Sequence, residues 1–260
     1  MKLSVITICY NNPDIKKTCE GIVSQSYQDF EWIVIDGGSD KETLDVLNAY
    51  KNRINIFVSE KDNGIYNAMN KGIELSSGEY LNFLNAGDLY FNKNSLAKAV
   101  GFLVNEDIVF GDLQFNAQTK FIKKYPDKIP YGWFISESLP HPSSFIKKEL
   151  FDKYGLYNED NKVVSDWEKW IEFIDKNNST YKHIPVTISI HNCDGLSAVF
   201  DDLHIKERAD IVAKYYGVSG ITTPTKKIIK FLGIPLMKVI EKFDSNQYYL
   251  FGRISIYKKN

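Results

Sequence analysis

Cysteine is scarce in this chain of 260 residues: Cys9, Cys19 and Cys193 make an odd count, with no C-x-x-C pair. That excludes a disulfide framework and a cysteine-built zinc site, and it fits a reducing compartment. An excess of one charge is lacking as well. The 32 Lys and Arg against 33 Asp and Glu leave a net charge of −1, so nothing points to nucleic acid as a partner. No apolar run reaches the roughly 18 residues of a bilayer span. The opening MKLSVITICYNN is too short and too polar at its end for a secretory signal, so the expected location is cytoplasmic. Internal repeats and low-complexity segments are absent.

Two phosphate-binding loops are missing too. Where a dinucleotide fold carries G-x-G-x-x-G after its first strand, this chain has CYNNPD, and G-x-x-x-x-G-K-[ST] occurs nowhere. A bound nucleotide diphosphate then needs another counter-charge. A divalent cation held by carboxylate, Mg²⁺ or Mn²⁺, supplies it.

What is present is apolar patterning. Hydrophobic residues are 43% of the chain, enough for a sizeable core. The 16 Tyr and 16 Phe serve either that core or stacking against sugar and base rings. LSVITIC (3–9), EWIVIDG (31–37), INIFVSE (54–60) and YLNFLN (80–85) read as buried strands. Between them, helical spacing places Ile15, Cys19 and Ile22 on one face. DKETLDVLNAY (40–50) comes next with Asp40 as N-cap, then GIYNAMNKGIELSSG (64–78), striped by Ile65, Met69 and Ile73 and closed by Gly78. Strand alternating with helix predicts a doubly wound parallel sheet whose strand C-termini share one edge, where ligands of such sheets bind. Past those ends come Tyr10-Asn11, Asp36-Gly37-Gly38, Glu60 to Gly64, and Asn85-Ala86-Gly87-Asp88. Asp36, Asp62 and Asp88 are therefore expected on a common rim. The plainer alternative for each is a turn aspartate.

The second half is less regular. Segments 107–116 and 120–126 predict a hairpin, 129–160 a wall over the crevice, 165–177 a helix burying Trp167, Trp170, Ile171 and Ile174, and 184–191 a strand. From 201 onward the chain reads as helical.

VITICYNN, EWIVIDGGSDKET, DNGIYNAMNKGI and GEYLNFLNAGD together resemble the serial motifs of the family 2 glycosyltransferases. The likeness is close over 1–90 and looser to about 200. It implies the α/β GT-A fold, a mostly parallel nucleotide-binding sheet flanked by helices. It implies an enzyme that inverts the anomeric centre of a nucleotide-diphosphate sugar with the help of Mn²⁺ or Mg²⁺. Residues 1–90 then form the donor half and 91–200 the acceptor half, with a helical, basic extension over 201–260. The resemblance places Thr7, Tyr10, Asp36, Asp62, Lys71 and Asn85 against the donor nucleotide and Asp88 on the metal. Many relatives carry a second acid before that last Asp; here Gly87 stands instead. His191, just before DGLS (194–197), is the candidate second metal ligand. The family's general base matches Asp166 in VVSDWEKWI, with Ser165 as the helix cap and Glu168 as the rival base. Trp133, His141 and Trp167 are candidates for lining the sugar pocket. The implied acceptor is a polysaccharide or lipid-linked oligosaccharide of the cell envelope.

Two other functions share these features: a sugar nucleotidyltransferase, whose glycine-rich loop YNNPDIKK lacks, and a non-catalytic carbohydrate-binding protein. Residues 224–260 carry eight Lys and Arg against Glu241 and Asp244. That basic, apolar tail suits either an anionic membrane surface at the inner face of the plasma membrane or a homodimer contact.

Overall fold

The computed structural model describes residues 2–117, 119–192 and 202–217, and the backbone of 226–231, 234–242, 245–250 and 253–256. Cys193 and the DGLS segment lie outside the described residues. The chain divides into two compact units, Met1–Val199 and Phe200–Asn260.

In the first unit the expected alternation is present: β1 (Leu3–Cys9), α1 (Ile15–Val23), β2 (Glu31–Asp36), α2 (Lys41–Ala49), β3 (Ile56–Ser59), α3 (Ile65–Leu75) and β4 (Tyr80–Phe83). The strands pair in parallel in the order β3-β2-β1-β4, with Cys9 opposite Asp36. Every residue of β1, β2 and β4 is buried, as continuous apolar runs covered on both faces require. Asp40 caps α2 by accepting from the Thr43 amide at 3.0 Å. Helix α3 ends at Ser76 rather than Gly78. Gly78 instead passes against Ser4, whose hydroxyl accepts from its amide at 2.9 Å. The Glu31 carboxylate anchors the same turn, accepting from the Ser4 hydroxyl and from the amide and hydroxyl of Ser77.

The second half adds β5 (Leu89–Tyr90), α4 (Ser95–Val100), the expected hairpin of β6 (Ile108–Asn116) with β7 (Lys120–Lys123), β8 (Ser144–Lys147), α5 (Lys148–Tyr154), α6 (Ser165–Trp170) and β9 (Tyr181–Asn192). Helix α6 continues as a π-helical stretch, Ile171–Lys176. Beyond β4 the sheet turns mixed, in the order β4-β8-β6-β9-β5. Strand β8 is the main departure. Residues 144–147 were expected in the covering wall, yet they sit inside the sheet, antiparallel to both β4 and β6. Trp170, Phe83, Phe110 and Phe145 are fully or almost fully buried, each burial contributing about 1.5–3 kcal/mol.

The second unit begins with α7 (Asp202–Tyr216), in keeping with a helical extension. The helical expectation does not hold for the described residues between 226 and 256. The backbone of β10 (Lys226–Phe231), β11 (Ile234–Lys242), β12 (Ser245–Leu250) and β13 (Arg253–Ile256) forms an antiparallel meander. Ile228, Ile229, Val239 and Ile240 are β-branched and favour strand. Pro235, expected to kink a helix, falls where the β10–β11 register shifts, a place where a strand tolerates proline. Among the described residues no helix is long and apolar enough to cross a membrane.

Candidate active site

One cavity of about 1060 Å³ opens along the C-terminal edge of the parallel strands. Tyr10, Asp62, Asn85 and Asp88 line it from the strand ends, and Tyr66 from the first turn of α3. His141, Asp166 and His191 line it from the second half. The motifs read from the two halves of the sequence thus meet in one space.

Asp88 is 7% exposed, and its Oδ1 lies 2.7 Å from His191 Nδ1. The turn carrying Asp88 is set by Gly87, whose φ of +98° is a conformation that side chains resist. The Gly87 amide donates to the Thr18 hydroxyl, and the same hydroxyl donates to the Asp88 carbonyl. A side chain at position 87 would have to strain this backbone. Burial pushes the pKa of His191 down. The hydrogen bond and charge of Asp88, joined by the charge of Asp166, push it up and prevail. Among the described residues no third His, Cys, Asp or Glu joins the pair as a metal cluster. One carboxylate and one imidazole suit a divalent cation that completes its shell from diphosphate oxygens and water.

Asp166 opens α6, and its Oδ1 accepts from the Tyr66 hydroxyl at 2.8 Å. Burial and the nearby Asp166 carboxylate push the Tyr66 phenol well up, so it remains a donor. Helix α3 also fixes the chain leading to Asp166. Asn70 donates to the Tyr157 carbonyl and to Glu159, and accepts from the Tyr157 amide. The expected cap is absent. Val164 holds the N-cap position, and Ser165 accepts from the Asn158 amide instead. Glu168 accepts from Asn161 and does not line the cavity.

Asp36 is fully buried beneath the rim. Its Oδ2 accepts from the amides of Gly38 and Ser39 and from the Ser59 hydroxyl, the turn expected of the plainer alternative. Its Oδ1 is buried with no partner, as is Oδ1 of Asn85. Asp62 likewise makes a turn, accepting from the Gly64 amide at 2.9 Å. Its Oδ2 lies 2.5 Å from where a Cβ on Gly37 would stand, so a side chain there would have to push the Asp62 carboxylate aside. Cys9 also lines the cavity, but burial, then the charge of Asp36, push its thiol up to about 12 and keep it from acting as a nucleophile.

Other expected residues are not in the cavity. Thr7 is fully buried in β1 and accepts from Trp32 Nε1 at 3.1 Å, because its side chain faces the core. Lys71 is ion-paired with Glu60 at 2.6 Å and does not line the cavity. Trp167 is 3% exposed and donates to the carbonyls of Phe134 and Glu137, so it pins the wall from behind. Trp133 packs edge-on against Phe134 rather than lining the space. His141 does line it, stacked on Phe83 with Nε2 held by the Tyr157 hydroxyl at 2.9 Å. Sequence reasoning missed Tyr66, Phe115 and Tyr125. Only Tyr66 left a signal, its place one residue inside a helix that starts at the ligand edge.

The chain matches the family model described as glycosyl transferase family 2 over residues 4–179. It is 29% identical over 214 residues to a "PGL/p-HBAD biosynthesis glycosyltransferase" of Mycobacterium bovis, covering 79% of this chain and 82% of that one. Among solved structures it is similar to S. aureus TarS in complex with UDP-GlcNAc, with TM-score 0.64 and 18% identity over 83% of this chain and 67% of that one. It is also similar to the mannosyltransferase PcManGT from Pyrobaculum calidifontis, in complex with GDP-Man and Mn²⁺. There the TM-score is 0.59 and the identity 18%, over 83% of this chain and 63% of that one.

Proposed function

The chain belongs to glycosyl transferase family 2, and from that premise we propose that it transfers a hexosyl or N-acetylhexosaminyl group, with inversion, from a nucleotide-diphosphate sugar to an acceptor hydroxyl. The observation that carries this reading is the meeting of two pairs in one cavity. Asp88–His191 stands at the strand edge and Tyr66–Asp166 at the start of α6, and all four side chains line the same space.

Asp88 and His191 would hold Mn²⁺ or Mg²⁺, which when bound neutralises the diphosphate leaving group. Tyr10, Asp62 and Asn85 line the donor side, and Asp36, which does not line the cavity, would act from behind by holding the Gly38–Ser39 turn. Asp166 takes the proton of the acceptor hydroxyl. Tyr66 holds its Oδ1, which leaves Oδ2 for that proton. As the acceptor oxygen bonds to the anomeric carbon from one face, the bond to the diphosphate oxygen breaks on the other, and the proton ends on Asp166. The saccharide or lipid-linked acceptor is carried over from the resemblance.

Screening nucleotide sugars for thermal stabilisation with Mn²⁺ tests the reading, starting with UDP-GlcNAc and GDP-Man, the donors bound by the two structural neighbours. A donor that binds only the folded state raises its melting temperature. We expect at least one donor to do so in wild type and not in Asp88→Asn. Failure of every donor would overturn the reading.

A further inference from the structure

Strands β6 and β9 fall out of step just before Leu113 enters the cavity wall. Phe110 pairs with His183 and Asp112 with Thr187, so β6 advances from 110 to 112 while β9 advances from 183 to 187. Such a bulge interrupts the ladder, and side chains tie the strands there instead. His183 Nε2 lies 2.9 Å from Asp112 Oδ1, and its Nδ1 lies 2.7 Å from Asp127 Oδ1. The same Asp112 oxygen accepts from the Tyr125 amide at 3.1 Å, and the Tyr181 hydroxyl accepts from the Ile129 amide at 2.8 Å. Residues 125–129, which follow β7, are thus a strap fastened to β6 and β9. Its first residue, Tyr125, lines the cavity.

A carboxylate oxygen only accepts, so both bonds of His183 require a proton on each ring nitrogen. Only the imidazolium makes them together. A neutral ring has one N–H and keeps one carboxylate, and burial decides which. The side chains of His183 and Asp112 are each 7% exposed, whereas that of Asp127 is 88% exposed. Abandoning Asp112 would strand a buried charge, while water solvates Asp127 at little cost. The titratable groups facing the ring are Asp112 from β6, Asp127 from the strap, and Tyr181 on β9, with Phe110 packed against both Tyr181 and His183. Tyr125, bonded to Asp112 through its amide, has its phenol pushed up by burial, then by the charges of Glu137 and Asp112, and stays neutral.

We propose that His183 is a proton-operated latch on the wall of the cavity. Charged, it fixes the strap and the Tyr125 wall. Neutral, it keeps Asp112, releases Asp127 and loosens that wall. Histidine is the side chain that changes charge between about pH 5 and 8, so the latch opens as pH rises. The latch works whatever the cavity binds, and so goes beyond the transferase reading.

Hydrogen exchange on the full chain tests it, read at the Tyr125 and Ile129 amides and corrected for the base-catalysed intrinsic rate. In wild type their protection should fall about threefold or more from about pH 5 to 8. The amides of β1, which report opening of the sheet, should not fall in step. Two substitutions at the exposed position 127 leave folding out of question. An Asn side chain both donates and accepts, so in Asp127→Asn a neutral His183 can donate to Asp112 and accept from position 127. That variant should hold the strap with a protection that no longer changes with pH. Asp127→Ala removes the anchor, and its protection should be low across the whole range. A smaller fall in wild type, an equal fall in β1, wild-type pH dependence in Asp127→Asn, or wild-type protection of Asp127→Ala at about pH 5 would each overturn the latch.

Discussion

At the scale of single residues, two histidines in one cavity titrate in opposite directions. Burial lowers the pKa of His141 below its ordinary 6.5, so the folded protein resists charging it. The unfolded chain then binds more protons, and stability is lost as pH falls through about 6.5 toward the lower folded value, at no more than about 1.4 kcal/mol per unit. His141→Gln should flatten that loss in urea unfolding between about pH 6.5 and 5, since it removes the titrating group. For His191 the folded pKa is raised by Asp88. Its contribution is therefore full below the unfolded value and lost as pH rises through the folded one. A divalent cation held by His191 as proposed would compete with that proton, so Mn²⁺ affinity should rise with pH over the same range, as titration calorimetry would show. Gly87→Ala tests the turn. With φ at +98°, a side chain there should cost about 1–3 kcal/mol of stability and weaken Mn²⁺ binding although Asp88 is intact.

Elements position these residues, and helix α3 carries the largest share. It presents Tyr66 to Asp166 and ties the 157–159 segment down through Asn70. Asn70→Ala should cost about 1–3 kcal/mol by stranding buried polar groups, and lower kcat more than it raises the donor KM, because Asp166 loses its anchor while the donor side is untouched. The donor half was legible in sequence because continuous β-branched runs, an Asp40 cap and an i, i+4, i+8 stripe are local signals. Strand β8 was not legible. Four residues, Ser144–Lys147, pass directly into α5 at Lys148 with no turn residue between them, so neither period develops. The strands from 226 on were misread because apolar residues spaced among lysines mimic an amphipathic helix, while antiparallel pairing between neighbouring segments gives strands instead. Asp88, Asp62 and Asp166, singled out by motif position, all line the cavity. Trp167 does not, and an aromatic on a helix face gives no sign of whether that face meets a cavity or a wall.

At the scale of the whole molecule, a sheet that is parallel at one end and mixed at the other brings two halves of the chain to one edge. The first half contributes Asp88 and the second contributes Asp166 to one cavity. Residues 224–260 carry a net +6 in a chain of net −1. If that tail meets an anionic surface, the protein should sediment with vesicles rich in phosphatidylserine and not with phosphatidylcholine, and rising salt should release it. The division of labour between the two aspartates is the central claim, and transfer kinetics of Asp166→Asn test it most directly. The account predicts that this variant keeps Mn²⁺ and donor binding at wild-type strength while kcat for transfer falls about 10²–10⁴-fold. Transfer at the wild-type rate, or a loss confined to donor affinity, would contradict it.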